Sequence, residues 1–120
     1  MPIIFRREKK KLRSLQYVFC SDEYLLQINK GFLKHDYYTD IITFDLSSSS
    51  EVEGEVYISL DRVKENALSF SQSYYKELLR VIIHGALHLC GYKDKTKSQV
   101  AEMRKTEDLY LLLFENTLDK

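Results

Sequence analysis

The 120 residues suffice for one domain with its own hydrophobic core. Hydrophobic residues make up 44% and charged residues 30%, which excludes disorder as the global state. With 18 basic and 18 acidic side chains the net charge is +0, so any pull toward nucleic acid or a membrane must come from a local patch. No apolar run reaches the length of a membrane span, and the first residues lack the apolar stretch of a secretory signal. Two cysteines, Cys20 and Cys90, are too few for a disulfide scaffold; both lie in apolar runs and read as buried free thiols. These features predict a cytoplasmic protein that does not touch membrane, and we read it as a monomer.

In chain order, Ile3–Phe5 reads as a short strand, followed by a basic run over Arg6, Arg7, Lys9, Lys10, Lys11 and Arg13. Leu15–Cys20 is rich in aromatic and β-branched residues and predicts a strand. Ser21 and Asp22 are N-cap residues for a helix over Glu23–Lys30, with Gly31 just past its end. Ile41–Leu46 and Val56–Leu60 predict two strands. The serine-rich loop between them makes them antiparallel neighbours. A short helix near Asp61–Phe70 carries Val63, Ala67 and Phe70 on one face. From Tyr75 to Leu89 apolar residues run almost all the way round, the mark of a helix buried on most sides. Thr96-Lys97-Ser98-Gln99 fits a capping box, opening a long amphipathic helix marked by Val100, Met103, Glu107, Tyr110, Leu111 and Phe114. Strands first and helices later predict an α+β fold. The expected architecture is a small mixed β-sheet, a largely buried central helix and a C-terminal amphipathic helix, in a single domain over residues 1–120.

The buried helix holds His84 and His88, four residues apart. That spacing brings both onto nearly one face, with Cβ atoms about 5–6 Å apart, and two imidazoles so placed can share one ion. Burying two imidazoles in an apolar helix is unfavourable unless each finds a partner. Gly91 can turn the chain back, and Asp94 is the next carboxylate after that turn. Together His84, His88 and Asp94 form a three-ligand set with an open fourth position, the pattern of a catalytic zinc site. Nickel, cobalt or iron would suit the same ligands. Cys90 falls two residues past His88, on the far side of the helix, and reads as core. In zinc peptidases of the His-Glu-x-x-His type the residue after the first histidine is the general base; here it is Gly85, which excludes that mechanism. A metal-bound water remains available as nucleophile.

The segment His84-Gly85-Ala86-Leu87-His88-Leu89-Cys90-Gly91-Tyr92-Lys93-Asp94 resembles the hallmark of the YbeY family of bacterial endoribonucleases, His-Gly-x-Leu-His-Leu-x-Gly-Tyr-Asp-His. Thr39-Asp40-Ile41-Ile42-Thr43-Phe44 and Gly54-Glu55-Val56-Tyr57-Ile58-Ser59 are similar to two strand blocks of that family, and Met103 and Glu107 fit its final helix. The resemblance implies a zinc-dependent, single-strand-specific endoribonuclease. It would act in small-subunit ribosomal RNA maturation and ribosome quality control, with the small subunit or its assembly factors as partners. It places the family's third metal-binding histidine at Asp94. A carboxylate is an acceptable zinc ligand, but its charge makes a bound water less acidic. The family's arginine after its Asn-x-x-Tyr stretch falls at Leu33. Lys34 is adjacent and stands in for it as a point charge rather than a bidentate fork. The N-terminal region is shorter than is usual in the family.

The basic run is the candidate RNA contact, and Tyr37, Tyr38, Tyr74 and Tyr75 are candidates for stacking on bases. His35 reads as a surface loop residue. Two other readings stay open: a ribosome-assembly or RNA-binding factor with little catalysis, motivated by Leu33, and a metal hydrolase of another substrate.

Overall fold

The computed structural model describes residues 2–33, 38–48 and 50–118. At its centre is strand β3 (Glu51–Ser59), flanked by β1 (Lys11–Cys20) and β2 (Ile41–Asp45). β1 runs parallel to β3, with Lys11 opposite Glu51 and Phe19 opposite Ile58. β2 runs antiparallel, with Ile41 opposite Ile58 and Asp45 opposite Gly54, so the expected hairpin partners are neighbours. The fold is the mixed α+β arrangement the sequence predicts.

Side chains alternate across β3, which sets up two cores. Val52, Val56 and Ile58 face helix α4 (Tyr74–Leu89), where Val81, Ile83, Ala86 and Leu87 are buried against them. On the other face Ile42, Phe44 and Tyr57 meet Leu25 and Ile28 of helix α2 (Asp22–Phe32). Helix α3 (Leu60–Ser69) and the long helix α5 (Lys97–Leu118) both pack on α4. Among the described residues no helix is long and apolar enough to cross a membrane.

Helix ends follow the sequence closely. Ser21, Ser59 and Ser73 cap α2, α3 and α4, each side chain accepting from a backbone N–H three residues on. Thr96 and Gln99 form the predicted capping box: Thr96 Oγ1 accepts from Gln99 N–H, and Gln99 Oε1 accepts from Thr96 N–H, both at 3.1 Å.

The following expectations are corrected. The strand expected over Val56–Leu60 starts five residues earlier, at Glu51, and ends at Ser59, with Leu60 opening α3. Cys20 is only partly buried. Ile3–Phe5 is not a strand but part of helix α1 (Pro2–Arg7). Pro2 sits where a helix starts favourably, and Ile4 and Phe5 are buried in the main core; three apolar residues cannot distinguish the two periods. β1 starts at Lys11, four residues early, because Lys11 pairs with Glu51 at 3.2 Å and Arg13 with Glu53 at 3.8 Å across to β3. Charged residues are uncommon in strands but belong on an edge. Gly31 lies inside α2, which continues to Phe32. Phe70 is exposed rather than packed with Val63 and Ala67.

Two glycines let α4 press onto the sheet. A Cβ on Gly85 would meet Val56 Cγ1 at 2.8 Å and Ile41 Cδ1 at 3.1 Å; one on Gly54 would meet Leu89 at 2.6 Å. In an exposed helix, glycine to alanine stabilises by about 1 kcal/mol. At Gly85 the sign reverses, because Val56 is fully buried and its methyls cannot swing away. Gly85→Ala is expected to destabilise by roughly 1–2 kcal/mol through overpacking, read as a lower urea midpoint at unchanged slope.

Candidate metal centre

The site is built at the C-terminal end of α4. Cys90 caps the helix and Gly91 follows at φ +106, in the left-handed region that favours glycine. Gly91 N–H donates to the His88 carbonyl and Tyr92 N–H to the Leu87 carbonyl, both at 3.0 Å, which is a Schellman motif. This reversal carries Asp94 back over the histidine face. His84 Nε2 and His88 Nε2 lie 2.9 Å apart, and Asp94 Oδ2 lies 3.2 and 3.3 Å from them. Ligands at ~2.0–2.1 Å from one ion in tetrahedral geometry stand roughly 3.3–3.4 Å apart. The three atoms therefore already span one face of such a shell, and the group could hold a metal ion.

Hydrogen bonds on the far side of each ring fix the tautomers. His88 Nδ1–H donates to the Tyr92 carbonyl at 3.0 Å, and a carbonyl can only accept. His84 Nδ1–H donates to Glu107 Oε2 at 2.5 Å. Both Nε2 lone pairs are thus turned toward Asp94, as metal-binding histidines require. Glu107 comes from α5 and is buried. Its other oxygen accepts from Arg80 Nη1 at 3.0 Å, and Arg80 Nη2 reaches Asp108 at 2.7 Å. The side chains of His84 and His88 are 20% and 26% exposed and that of Asp94 is 41%, so the fourth position opens to solvent.

The site lies in an open cleft of about 930 Å³, lined by β2, α3, α4 and α5. Two further cleft carboxyls, Asp40 and Glu77, are held above the usual range chiefly by burial; nearby His84 pulls Asp40 the other way. Burial works to lower the His84 pKa, but the hydrogen bond and charge of Glu107, with Asp94 and Asp40, outweigh it and raise the value.

The structure brings His84, His88 and Asp94 together as the spacing predicts. It does not bring the basic run there. Arg6 and Arg7 end α1, Lys9 and Lys10 lie in the connection to β1, and Lys11 and Arg13 lie on β1, the sheet edge opposite the one that lines the cleft. Arg7 sits over the Tyr110 ring at 6.0 Å. Tyr38, Tyr74 and Tyr75 are exposed but outside the cleft lining. Lys34, His35 and Tyr37 lie outside the described residues. Leu33 is in the cleft wall. Burial pushes the Cys90 thiol up to about 12, in keeping with an inert core residue. Glu107, Arg80 and Asp40 were not among the expected site residues. Glu107 fits the family's final helix and is an acid in the apolar stripe of α5, a position where a carboxylate needs a partner.

In metal-free protein, Glu107→Gln is expected to lower the His84 pKa, measured by NMR titration of the imidazole. The sign carries into stability. A raised folded pKa contributes stability that is fully present below the unfolded histidine value and is lost as pH rises through the folded value. Glu107→Gln should flatten that loss in metal-free protein followed by urea unfolding across the same pH range.

Residues 4–115 match the family model described as Endoribonuclease YbeY. The Endoribonuclease YbeY of Cytophaga hutchinsonii is 54% identical over 111 residues, covering 92% of this chain and 78% of that protein. The Endoribonuclease YbeY of Porphyromonas gingivalis is 50% identical over 112 residues, 93% of this chain and 74% of that protein. A solution structure from Thermotoga maritima superposes with a TM-score of 0.66 at 29% identity, covering 96% of this chain and 79% of that one. Fold and sequence agree: the chain belongs to the YbeY family of endoribonucleases.

Proposed function

We propose that this chain is a zinc-dependent endoribonuclease that cleaves single-stranded RNA at the centre formed by His84, His88 and Asp94. The observation that carries the reading is the convergence of two Nε2 lone pairs and a carboxylate oxygen within 3.3 Å, each ring locked from behind. Family membership supports RNA as the substrate class. The resemblance supports the finer role, in small-subunit ribosomal RNA maturation in the cytoplasm, with the small subunit or its assembly factors as partners. When bound, zinc supplies a Lewis acid and an activated water at its open position.

The protein's own residues do the rest. Glu107 and the Tyr92 carbonyl hold the imidazoles in register. Asp94 adds a negative charge that a third histidine would not. Gly85 offers no base. Asp40 lines the same cleft, where burial raises its pKa and nearby His84 works against that, and it is the carboxyl we assign to exchange a proton with the substrate. Asp40→Asn should lower kcat by roughly 10²–10⁴-fold, the range of a lost acid–base group, with KM little changed.

The test incubates purified protein with single-stranded ribosomal RNA, with and without chelator, beside a His84→Ala/His88→Ala double variant. Cleavage should stop on chelation, return with zinc, and be absent in the double variant. Cleavage that persists in the variant belongs to a contaminant and sinks the enzyme reading. Leu33, where the family carries arginine, favours a second reading as an RNA-binding assembly factor. Binding without cleavage by zinc-loaded protein would select it. Asp94→Asn should weaken zinc retention in a competition assay; retention equal to wild type would remove Asp94 from the ligand set.

A further inference from the structure

The cleft has two walls whose chemistry the metal centre does not use. One is the last turn of α3. Asn66 donates to Asp40 Oδ2 at 3.4 Å. Phe70, four residues on and so on the same side of the chain, lines the cleft. Phe70 is 57% exposed and joins neither hydrophobic core. The other wall is the start of α5. Lys95 follows Asp94 directly, and Arg104 lies one turn before Glu107; both line the cleft.

The balance of charge there is unfavourable to a polyanion. The lining carries the carboxyls of Asp40, Asp45, Glu77, Asp94 and Glu107 and the cations Arg80, Lys95 and Arg104. Arg80 is engaged by Glu107 and Asp108. Lys95 and Arg104 form no ion pair among the described residues, although Arg104 lies close enough to Glu77 to draw its pKa down. Among the described residues they are the two cleft cations left to meet phosphate.

We propose that this cleft is a track for single-stranded RNA, with Phe70 stacking on a base while Lys95 and Arg104 hold the phosphates beside the metal centre. The inference rests on the ribonuclease reading above and names the residues that select a single strand. A base within a duplex is stacked on both faces and has none to offer Phe70. A base in a single strand can lie on the ring whatever its sequence. Two cations on the α5 side neutralise backbone charge that the cleft's carboxyls would otherwise repel.

The experiment uses zinc-loaded protein and one labelled RNA oligonucleotide, alone and annealed to its complement. KM and kcat are determined separately, and binding is followed by anisotropy across a salt series. Phe70→Ala should raise KM for the single strand roughly 5- to 150-fold, the range of one lost base–aromatic stack, with kcat little changed; Phe70→Trp should restore it. Lys95→Gln/Arg104→Gln should flatten the plot of log affinity against log salt by about 1.4, or about 0.7 per phosphate contact. Lys95→Arg/Arg104→Lys should recover the slope. If wild-type protein cleaves the single strand while these variants keep its KM and its slope, the track is wrong and the ribonuclease reading stands. A loss confined to kcat in Phe70→Ala also overturns it. If wild-type protein neither cleaves nor binds RNA, both readings fall together.

Discussion

Two imidazole lone pairs and a carboxylate oxygen held within 3.3 Å of one another repel unless something positive stands among them. Everything around the end of α4 maintains that arrangement. Glu107 and the Tyr92 carbonyl occupy the Nδ1 positions, so the rings cannot relieve the repulsion by changing tautomer without losing a hydrogen bond. Arg80 anchors Glu107, so the orientation of His84 depends on a chain of partners from α4 to α5 and back. The His88 side is held by backbone alone. The same Schellman turn that ends the helix supplies the carbonyl behind His88 and delivers Asp94 in front of it.

The sheet gives this cluster a fixed floor. Gly85 lies between the two histidines in sequence, and its missing Cβ allows the α4 backbone to rest on Val56 and Ile41. Moving α4 outward by the width of a methyl would shift both rings relative to Asp40 on the neighbouring β2 end. One residue therefore has two consequences. It removes the general base that a metallopeptidase would carry at that position, and it sets the height of the helix above the sheet.

The features legible in the sequence are those set by local geometry. His84, His88, Gly91 and Asp94 lie within 11 residues, so helical periodicity and one glycine turn are enough to bring them together. The caps at Ser21, Ser59, Ser73 and Thr96 are local in the same way, with those at Ser21 and Thr96 predicted by the sequence. What escaped depends on tertiary contact. Glu107 is 23 residues from His84, and its role exists only because α5 folds back along α4. α1 is helical because two of its apolar side chains, Ile4 and Phe5, are drawn into the core, which a six-residue segment cannot announce. The basic run is contiguous in sequence but not in space. A helix end, a turn and an alternating edge strand send its members in different directions, and two of them are tied to glutamates of β3.

That dispersal bears on how a chain with net charge +0 can act on a polyanion. Without an excess of positive charge there is little long-range steering, so recognition has to be made at short range. The cleft is itself rich in carboxyls, among them Asp94 of the candidate metal group and Glu107, which anchors His84. A divalent ion at the histidines would reverse the local sign where a phosphate must sit. Carboxyls elsewhere on the walls would still repel a strand that approached in the wrong register. The acids that build the site would thus also restrict how RNA could enter it, which is a stricter condition than a uniformly basic groove would impose.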